Sequence, residues 1–353
     1  MLWILAIASA LFTAVFVIPL RALIIRLGIV DNPRVLARKK HQQTTPLGGG
    51  VALYAGVLIP TLILWRSGNL LNNTLHTKTV ISLFLGGIII ILGGLIDDRF
   101  HLRARYQFVF PFLATLIAIA GGVGSHSITN PLGGSFPLDK YVVELGFLGT
   151  IVILADTVTF LWLMGMMYTT KFLDGLDGLV TGVVLIGSLV LLIITNQTQW
   201  YDPEIARITA IFAGACAGFL CWNYAPAKIF LGEGGSLFTG FFLASLAALA
   251  GGRLAIAALV LVIPILDVAR VLVRRIQRKQ PIFHGDREHL HLQLVDSGLS
   301  VRQSVLLLYS ISLLLGATVL FLQGEQQLIA QVCILALLLI TGVWFTRRDK
   351  INL

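Results

Sequence analysis

The chain has 353 residues, of which 57% are hydrophobic and only 12% are charged, and its formal net charge is +9. A soluble globular domain carries about a quarter charged residues, so this chain has too few of them to cover a water-facing exterior. The composition excludes a soluble globular protein and predicts an integral membrane protein. The excess of 26 lysines and arginines over 17 carboxylates does not indicate nucleic-acid binding, because a basic face needs a folded soluble domain to carry it.

The N-terminal apolar run, from Leu2 to Leu20, precedes its first cations, Arg21 and Arg26. A cleavable signal peptide has the opposite order, so we expect this run to be kept as the first membrane span. The three cysteines all lie within apolar runs and form no CxxC pair. The sequence therefore indicates neither a disulfide framework nor a thiolate metal site.

Apolar runs of about 17 to 25 residues, long enough to cross a bilayer as helices, recur along the whole chain. They predict an all-α polytopic membrane protein with eleven transmembrane helices, at 2–25, 47–65, 79–96, 106–123, 147–167, 179–195, 205–222, 237–251, 254–272, 304–322 and 327–346. Only Gly252 and Arg253 separate the runs at 237–251 and 254–272. A count of ten, with these two as one broken segment, therefore stays open.

The distribution of cations predicts how these spans are oriented. With the N-terminus outside, the inner loops are 26–46, 97–105, 168–178, 223–236, 273–303 and the C-terminal 347–353, and most lysines and arginines fall there. The positive-inside rule favours this orientation. We expect one multi-pass domain over 1–353 in the cytoplasmic (inner) membrane, with a cytoplasmic C-terminus. The longest outer loop, 124–146, contains Asn130-Pro131 and Gly133-Gly134 and is predicted to form a short hairpin.

Carboxylates and histidines concentrate in these predicted inner loops. The groups are Asp97 and Asp98; Asp174 and Asp177; Glu233; and a histidine-rich segment with His284, Asp286, Arg287, His289 and His291. Any single group can be explained as helix capping, as for Asp177 ahead of the span at 179–195. Capping does not require adjacent carboxylates, a repeated Asp-Gly and a histidine-rich loop together, so the joint pattern predicts a functional site.

The residue types in these loops suit phosphoryl transfer. Mg²⁺ prefers oxygen ligands and often binds one or two carboxylates plus substrate phosphates. The glycines around Glu233 would let backbone approach a phosphate, with Ser236 opening a helix whose N-terminus faces the anion. The cations that could neutralise phosphate oxygens are Arg38, Lys39, Lys40, Lys171 and Arg287.

Six motifs, in chain order, resemble those of the polyprenyl-phosphate N-acetylhexosamine-1-phosphate transferases. They are Asp31-Asn32-Pro33 with Arg38-Lys39-Lys40-His41 and Thr45-Pro46-Leu47-Gly48-Gly49-Gly50; Gly94-Leu95-Ile96-Asp97-Asp98; Asp174-Gly175-Leu176-Asp177-Gly178; Phe230-Leu231-Gly232-Glu233-Gly234-Gly235-Ser236; Pro264-Ile265-Leu266-Asp267; and His284-Gly285-Asp286-Arg287-Glu288-His289-Leu290-His291. The last motif resembles that of the branch using simple UDP-N-acetylhexosamines. The branch that transfers phospho-N-acetylmuramoyl-pentapeptide has a His-His-His-type motif.

The resemblance implies transfer of a sugar 1-phosphate from a UDP-sugar to a polyprenyl phosphate, with Mg²⁺ or Mn²⁺, in wall or surface-polysaccharide synthesis. Its implied catalytic residues are Asp97, Asp98, Asp174 and Asp177. Its implied metal ligands are Asp97, Asp98, Asp174 and Glu233. Its implied substrate-binding residues are Arg38, Lys39, His41, Lys171, Arg287, His289 and His291. Whether the chain forms a homodimer is left open by the sequence.

Several positions depart from the family's pattern. The family has Asn-x-x-Asn before its Asp-Gly repeat, and Tyr168 and Lys171 occupy those two positions here. Glu233 replaces an aspartate, and Leu292 stands where a second histidine follows His291 in the family. These changes keep open a catalytically altered or inactive member of the family.

Other classes of protein are weighed against the transferase. A transporter or flippase for a phosphorylated lipid or sugar predicts charges at mid-bilayer and repeat symmetry, whereas these carboxylates lie at span ends. A CDP-alcohol phosphotransferase lacks its expected Ala-Arg pattern after Asp174. A zinc site at His284, His289 and His291 has no accompanying cysteine. Asp267 is predicted to have a structural role through Arg270 or Arg274.

Overall fold

The computed structural model describes residues 1–31, 44–68, 70, 75–124, 127–129, 135–144, 150–197, 201–251, 254–278, 289–322, 326–327, 329–334 and 336. Helices form most of this part of the chain: α1 (Leu2–Arg26), α2 (Gly49–Arg66), α3 (Thr77–Phe100), α4 (Ala104–Gln107), α5 (Val109–Ala120), α6 (Ile153–Leu173), α7 (Leu179–Thr195), α8 (Pro203–Asn223), α9 (Gly232–Leu249), α10 (Leu254–Val260), α11 (Val262–Gln277), α12 (Leu290–Asp296) and α13 (Val301–Phe321). The strands are β1 (Val30–Asp31), β2 (Thr45–Pro46), β3 (Ser127–Thr129), β4 (Ser135–Pro137), β5 (Val142–Glu144) and β6 (Thr150–Val152).

Among the described helices, six are long and apolar enough to cross a membrane: α1, α2, α3, α8, α9 and α13. The pair α10 and α11 would be a seventh, as one broken span bent by 77°. The eleven predicted spans are therefore not confirmed. The helix α5 has 12 residues, which at 1.5 Å per residue is much shorter than the roughly 30 Å hydrocarbon core, and the predicted span 327–346 lies largely outside the described residues. The broader prediction of an all-α membrane protein is confirmed.

Small residues bring α1 and α8 together. A Cβ added at Gly214 or Gly218 of α8 would overlap the backbone of Ala6 or Ala10 of α1. The buried Ser9 hydroxyl contacts the carbonyl of Ile211, at 2.7 Å, on the same interface. Glycine lets two helix backbones approach closely, which is how helices pack where lipid supplies no hydrophobic drive.

The helix α9 forms the centre of the bundle and is buried along nearly its whole length. Its Phe242 ring lies 4.9 Å from Phe212 of α8 and 5.3 Å from Phe238, centroid to centroid. Aromatic rings at these separations add attraction beyond the area they bury. This core fixes the middle of α9 against α8.

The predicted span 254–272 is broken where α10 meets α11. Pro264 lies in the first turn of α11 and has no backbone N–H, so it cannot bond the carbonyl of Val260 and the helix does not continue through this point. The chain bends by 77° there. The helix α11 then extends to Gln277, beyond the predicted end of the span.

The short hairpin predicted within 124–146 is confirmed. β3 pairs antiparallel with β4, from Ser127 opposite Pro137 to Thr129 opposite Ser135. A second pair, β5 with β6, leads directly into α6. This pair delays the start of α6 to Ile153, later than the predicted residue 147.

Candidate active site

Three helix ends meet at one end of the bundle: the C-terminal ends of α3 and α6 and the N-terminal end of α9. Glycines make this approach possible. A Cβ added at Gly94 of α3 would overlap the backbone of Gly234 in α9. A Cβ added at Gly235 would lie 2.9 Å from the Cα of Gly50 in α2. Asp97 and Asp98, which follow Gly94, are thereby brought close to Glu233, which precedes Gly234.

Asp97 is buried and its carboxylate is held by protein donors. The backbone N–H of Leu102 donates to Oδ1 at 2.7 Å. The Gln107 side-chain amide donates to Oδ1 at 3.0 Å and to Oδ2 at 3.1 Å. These bonds fasten the segment after α3 to the helix end, so Asp97 shapes the site.

Asp98 is partly exposed, and it occupies the position expected for a phosphate. The backbone N–H of Glu233, in the first turn of α9, donates to its Oδ1 at 3.1 Å. The expectation that Ser236 opens this helix is wrong, because Gly232, with φ +73°, begins it one turn earlier. Ser236 instead donates to the carbonyl of Glu233 at 3.0 Å. The negative group at this helix N-terminus is the protein's own Asp98.

Asp174 and Asp177 lie in the turn between α6 and α7. Desolvation by the surrounding protein, then the negative charges of Glu233, Asp98 and Asp177, raise the pKa of Asp174 to about 8. Asp174 as a whole residue keeps contact with solvent, so a dissolved cation can reach it, and a bound cation would favour the ionised carboxylate. Asp177 does not cap α7, since its Oδ2 accepts a bond from the backbone of Ala227 at 2.9 Å.

Lys171 stands at the centre of the site. Its ammonium forms an ion pair with the Glu233 carboxylate and donates to Gln107 Oε1 at 3.0 Å. It also lies 5.6 Å from the centroid of the Tyr168 ring. Through Gln107 this cation is connected to Asp97, so α3, α4, α6 and α9 are joined by one polar chain.

His289 is fixed by Asp267 of α11. Its Nδ1 lies 2.9 Å from Asp267 Oδ2, and the backbone of Leu290 donates to both Asp267 oxygens at 3.0 Å. Arg270 donates to Asp267 Oδ1 at 2.7 Å, which confirms the predicted pairing. The His289 ring stacks 5.9 Å from Phe172 of α6. Asp267 thus orients this histidine towards the end of α6.

His291 packs against the Asp174 turn, since a Cβ added at Gly175 would overlap its imidazole. Burial, followed by the neighbouring charge of His289, lowers the pKa of His291 to about 4. His291 is therefore neutral at pH 7 and serves as a hydrogen-bonding ring and not as a cation.

The buried His291 makes the fold sensitive to acid. Its pKa in the folded protein lies below its unfolded value of 6.5, so its contribution to stability is complete above pH 6.5 and is lost as pH falls towards 4. The shift corresponds to about 3 kcal/mol at the acid limit. We expect thermal unfolding in detergent to show a smaller loss of Tm between pH 7 and pH 5 in His291→Gln than in the unchanged protein. Equal losses would contradict the assignment.

The structure brings together all eight of the predicted catalytic, metal-binding and substrate-binding residues that it describes. Those that meet at the three helix ends or pack beside them are Asp97, Asp98, Lys171, Asp174, Asp177, Glu233, His289 and His291. Four predicted substrate-binding residues, Arg38, Lys39, His41 and Arg287, lie outside the described residues. Where the chain is described, His, Cys, Asp and Glu nowhere form a group of three that could hold a metal ion. The metal assignments therefore stay predictions.

Sequence reasoning did not assign three contributors to this site. Gln107 bridges Asp97 and Lys171, and no motif marks it. Phe172 stacks on His289. Asp31 is close enough to Asp98 for their charges to interact. Its place in the Asp31-Asn32-Pro33 motif could have marked it as a site residue.

Comparison with known proteins identifies relatives over most of the chain. The sequence model of glycosyl transferase family 4 matches residues 80–251. A probable undecaprenyl-phosphate N-acetylglucosaminyl 1-phosphate transferase of Bacillus subtilis is 29% identical over 323 residues, covering 89% of this chain and 83% of that protein. A decaprenyl-phosphate N-acetylglucosaminephosphotransferase of Mycobacterium tuberculosis is 30% identical over 319 residues, covering 82% and 75%. An undecaprenyl-phosphate alpha-N-acetylglucosaminyl 1-phosphate transferase of Escherichia coli is 25% identical over 322 residues, covering 87% and 80%.

Fold and site together define a helical membrane protein with a carboxylate-rich site at one set of helix ends. The chain belongs to glycosyl transferase family 4, in the group of polyprenyl-phosphate N-acetylglucosaminyl-1-phosphate transferases. This confirms the resemblance drawn from the motifs. The segment matched by the family model runs from α3 to α9 and so contains Asp97, Asp98, Lys171, Asp174, Asp177 and Glu233.

Proposed function

We propose that this protein transfers an N-acetylhexosamine 1-phosphate from a UDP-sugar to a polyprenyl phosphate, giving a polyprenyl-diphospho-sugar and UMP. The observation that carries the proposal is the convergence of Asp98, Asp174 and Glu233 at helix ends of a membrane protein. At helix ends near the membrane surface, the phosphate of a lipid whose hydrocarbon chain lies in the bilayer can meet a nucleotide dissolved in water. The names of the relatives support the lipid acceptor and the transferred group.

The reaction forms one phosphorus–oxygen bond and breaks another. An oxygen of the lipid phosphate attacks the β-phosphorus of the UDP-sugar, and the bond from that phosphorus to the bridging oxygen breaks, so UMP leaves. We assign Asp98 to accept a proton from the lipid phosphate, because it is partly exposed and is held in place by the Glu233 N–H. Asp97 is a positioning residue, since donors from the protein engage both of its oxygens.

Among the described residues, the site offers only two carboxylates to a divalent cation. Mg²⁺ is often held by one or two carboxylates, with substrate phosphates and water completing its shell, and Asp98 and Asp174 can supply those carboxylates. When bound, the ion would neutralise charge developing on the diphosphate. Glu233 is engaged by Lys171. His289 is assigned to hydrogen-bond the sugar or the diphosphate, and the buried His291 packs against the Asp174 turn that supplies a carboxylate.

We propose that this end of the bundle faces the cytoplasm. Its helix ends carry Arg26 on α1, Arg99 on α3, and Arg274 with Arg275 on α11. The opposite end has fewer cations in the described chain, among them Arg66 at the end of α2. The positive-inside rule then supports an inner-membrane protein with its site on the cytoplasmic side.

UMP release tests the proposal. Purified protein with Mg²⁺ and polyprenyl phosphate should release UMP from at least one member of a panel of UDP-N-acetylhexosamines, and none when the lipid phosphate is left out. UMP formed without the lipid would indicate hydrolysis. Failure with every sugar, in a protein that is folded by size-exclusion chromatography, would contradict the proposal and favour the inactive or transporter alternatives.

A further inference from the structure

The ion pair between Lys171 and Glu233 joins two of the positions at which this chain departs from the pattern that the motif resemblance implies. The resemblance drawn from the motifs implies asparagines at positions 168 and 171 and an aspartate at position 233, where this chain has Tyr168, Lys171 and Glu233. In the structure the Lys171 ammonium contacts both of the other two residues. The extra methylene of a glutamate extends its carboxylate towards the ammonium. Tyr168, Lys171 and Glu233 therefore lie next to one another in the folded protein.

This ammonium is held on several sides. Besides the Glu233 carboxylate it bonds Gln107 Oε1 at 3.0 Å, and the Tyr168 ring lies 5.6 Å away. The Lys171 and Glu233 side chains are each only 18% exposed. A charged pair with this little solvent around it is less screened than a surface pair, so the cation is a fixed part of the site.

The charges around Glu233 show what this cation does. Asp97, Asp98 and Asp174 are all near enough to interact electrostatically with Glu233. Such a group of negative charges attracts a cation, and Lys171 supplies one from the chain itself.

We infer that the Lys171 ammonium takes the place of a metal ion at the Glu233 carboxylate. Glu233 is therefore not a metal ligand in this protein. This inference rests on the proposed function. The ligands of any divalent ion are then Asp98, Asp174 and the phosphates of the substrate. The protein therefore binds such an ion weakly when no substrate is present. Lys171 is a positioning residue that neutralises the Glu233 carboxylate at the start of α9.

Binding of Mn²⁺ to the purified full-length protein, followed by electron paramagnetic resonance without substrate, tests the inference. Lys171→Asn exposes the Glu233 carboxylate and should tighten Mn²⁺ binding by roughly tenfold or more. Lys171→Asn combined with Glu233→Gln should lose that gain, and Glu233→Gln alone should leave the affinity unchanged. Lys228→Asn is the matched control, because it removes the same charge from an exposed lysine and should have no effect.

Two results would overturn the inference. One is that folded Lys171→Asn binds Mn²⁺ no more tightly than the unchanged protein. Absence of Mn²⁺ binding in every variant counts as this result. The other is a tenfold loss in Glu233→Gln, which would make Glu233 a ligand. If Lys171→Asn does not fold, Glu233→Gln alone decides the question. The measurement uses no lipid and no nucleotide, so failure of the transferase assay with the expected Mn²⁺ pattern would reject the proposed function and keep the role of Lys171.

Discussion

Asp98→Asn is expected to slow UMP release by roughly 10²- to 10³-fold, while the KM for the UDP-sugar changes little. The amide keeps the shape of the carboxylate but removes the negative charge that accepts a proton and attracts a cation. Its Oδ1 can still accept the bond from the Glu233 N–H, so the start of α9 should stay in place. Steady-state kinetics with purified protein measures both parameters.

The control for this substitution is Asp139→Asn, which removes an exposed carboxylate beyond β4 and should leave turnover unchanged. Asp97→Asn should also lower turnover strongly, because its buried carboxylate anchors Gln107 and Leu102. Turnover within threefold of the unchanged protein in both Asp97→Asn and Asp98→Asn would contradict the assignment of this site.

Gly94→Ala is expected to abolish activity and to destabilise the protein by about 1–3 kcal/mol or more. The added methyl group would occupy the space of the Gly234 backbone, and a backbone cannot rotate away as a flexible side chain can. The first turn of α9 would be pushed off α3, separating Glu233 from Asp98. Thermal unfolding in detergent and UMP release should both show the loss.

Gly165→Ala is the matched control for this prediction. Gly165 also lies within a helix, α6, but a Cβ added there meets nothing within 4 Å. Alanine is the better helix former, so its Tm should be equal or slightly higher. A Gly94→Ala protein with unchanged Tm and turnover would show that α3 and α9 do not make this close contact.

The sequence predicts which residues form the site better than it predicts their hydrogen-bond partners. Asp98, Asp174 and Glu233 are costly residues at the ends of apolar runs, and that cost is what made them visible. The fold class is predictable for the same reason, because apolar runs of this length have few alternatives to a helix in lipid. Short helices such as α5, and the break before α11, are less predictable because packing against neighbours decides where a helix ends.

The parts that the sequence did not predict are long-range pairings. Gln107 is an ordinary polar residue until the fold places it between Asp97 and Lys171. The expected helix start at Ser236 is wrong because the helix begins at Gly232, and the Glu233 N–H in its first turn donates to Asp98, more than a hundred positions earlier in the chain. Such partners are set by helix packing, which single-sequence patterns do not encode.

The most direct test of the central claim follows the β-phosphate of the donor. Purified protein is incubated with polyprenyl phosphate and a UDP-N-acetylhexosamine labelled with ³²P at the β-phosphorus, and Asp98→Asn serves as the inactive control. We predict that the label moves into the organic phase as polyprenyl-diphospho-sugar and that the released UMP is unlabelled. Label that stays in water as UDP, with an unlabelled sugar on the lipid, would contradict sugar 1-phosphate transfer.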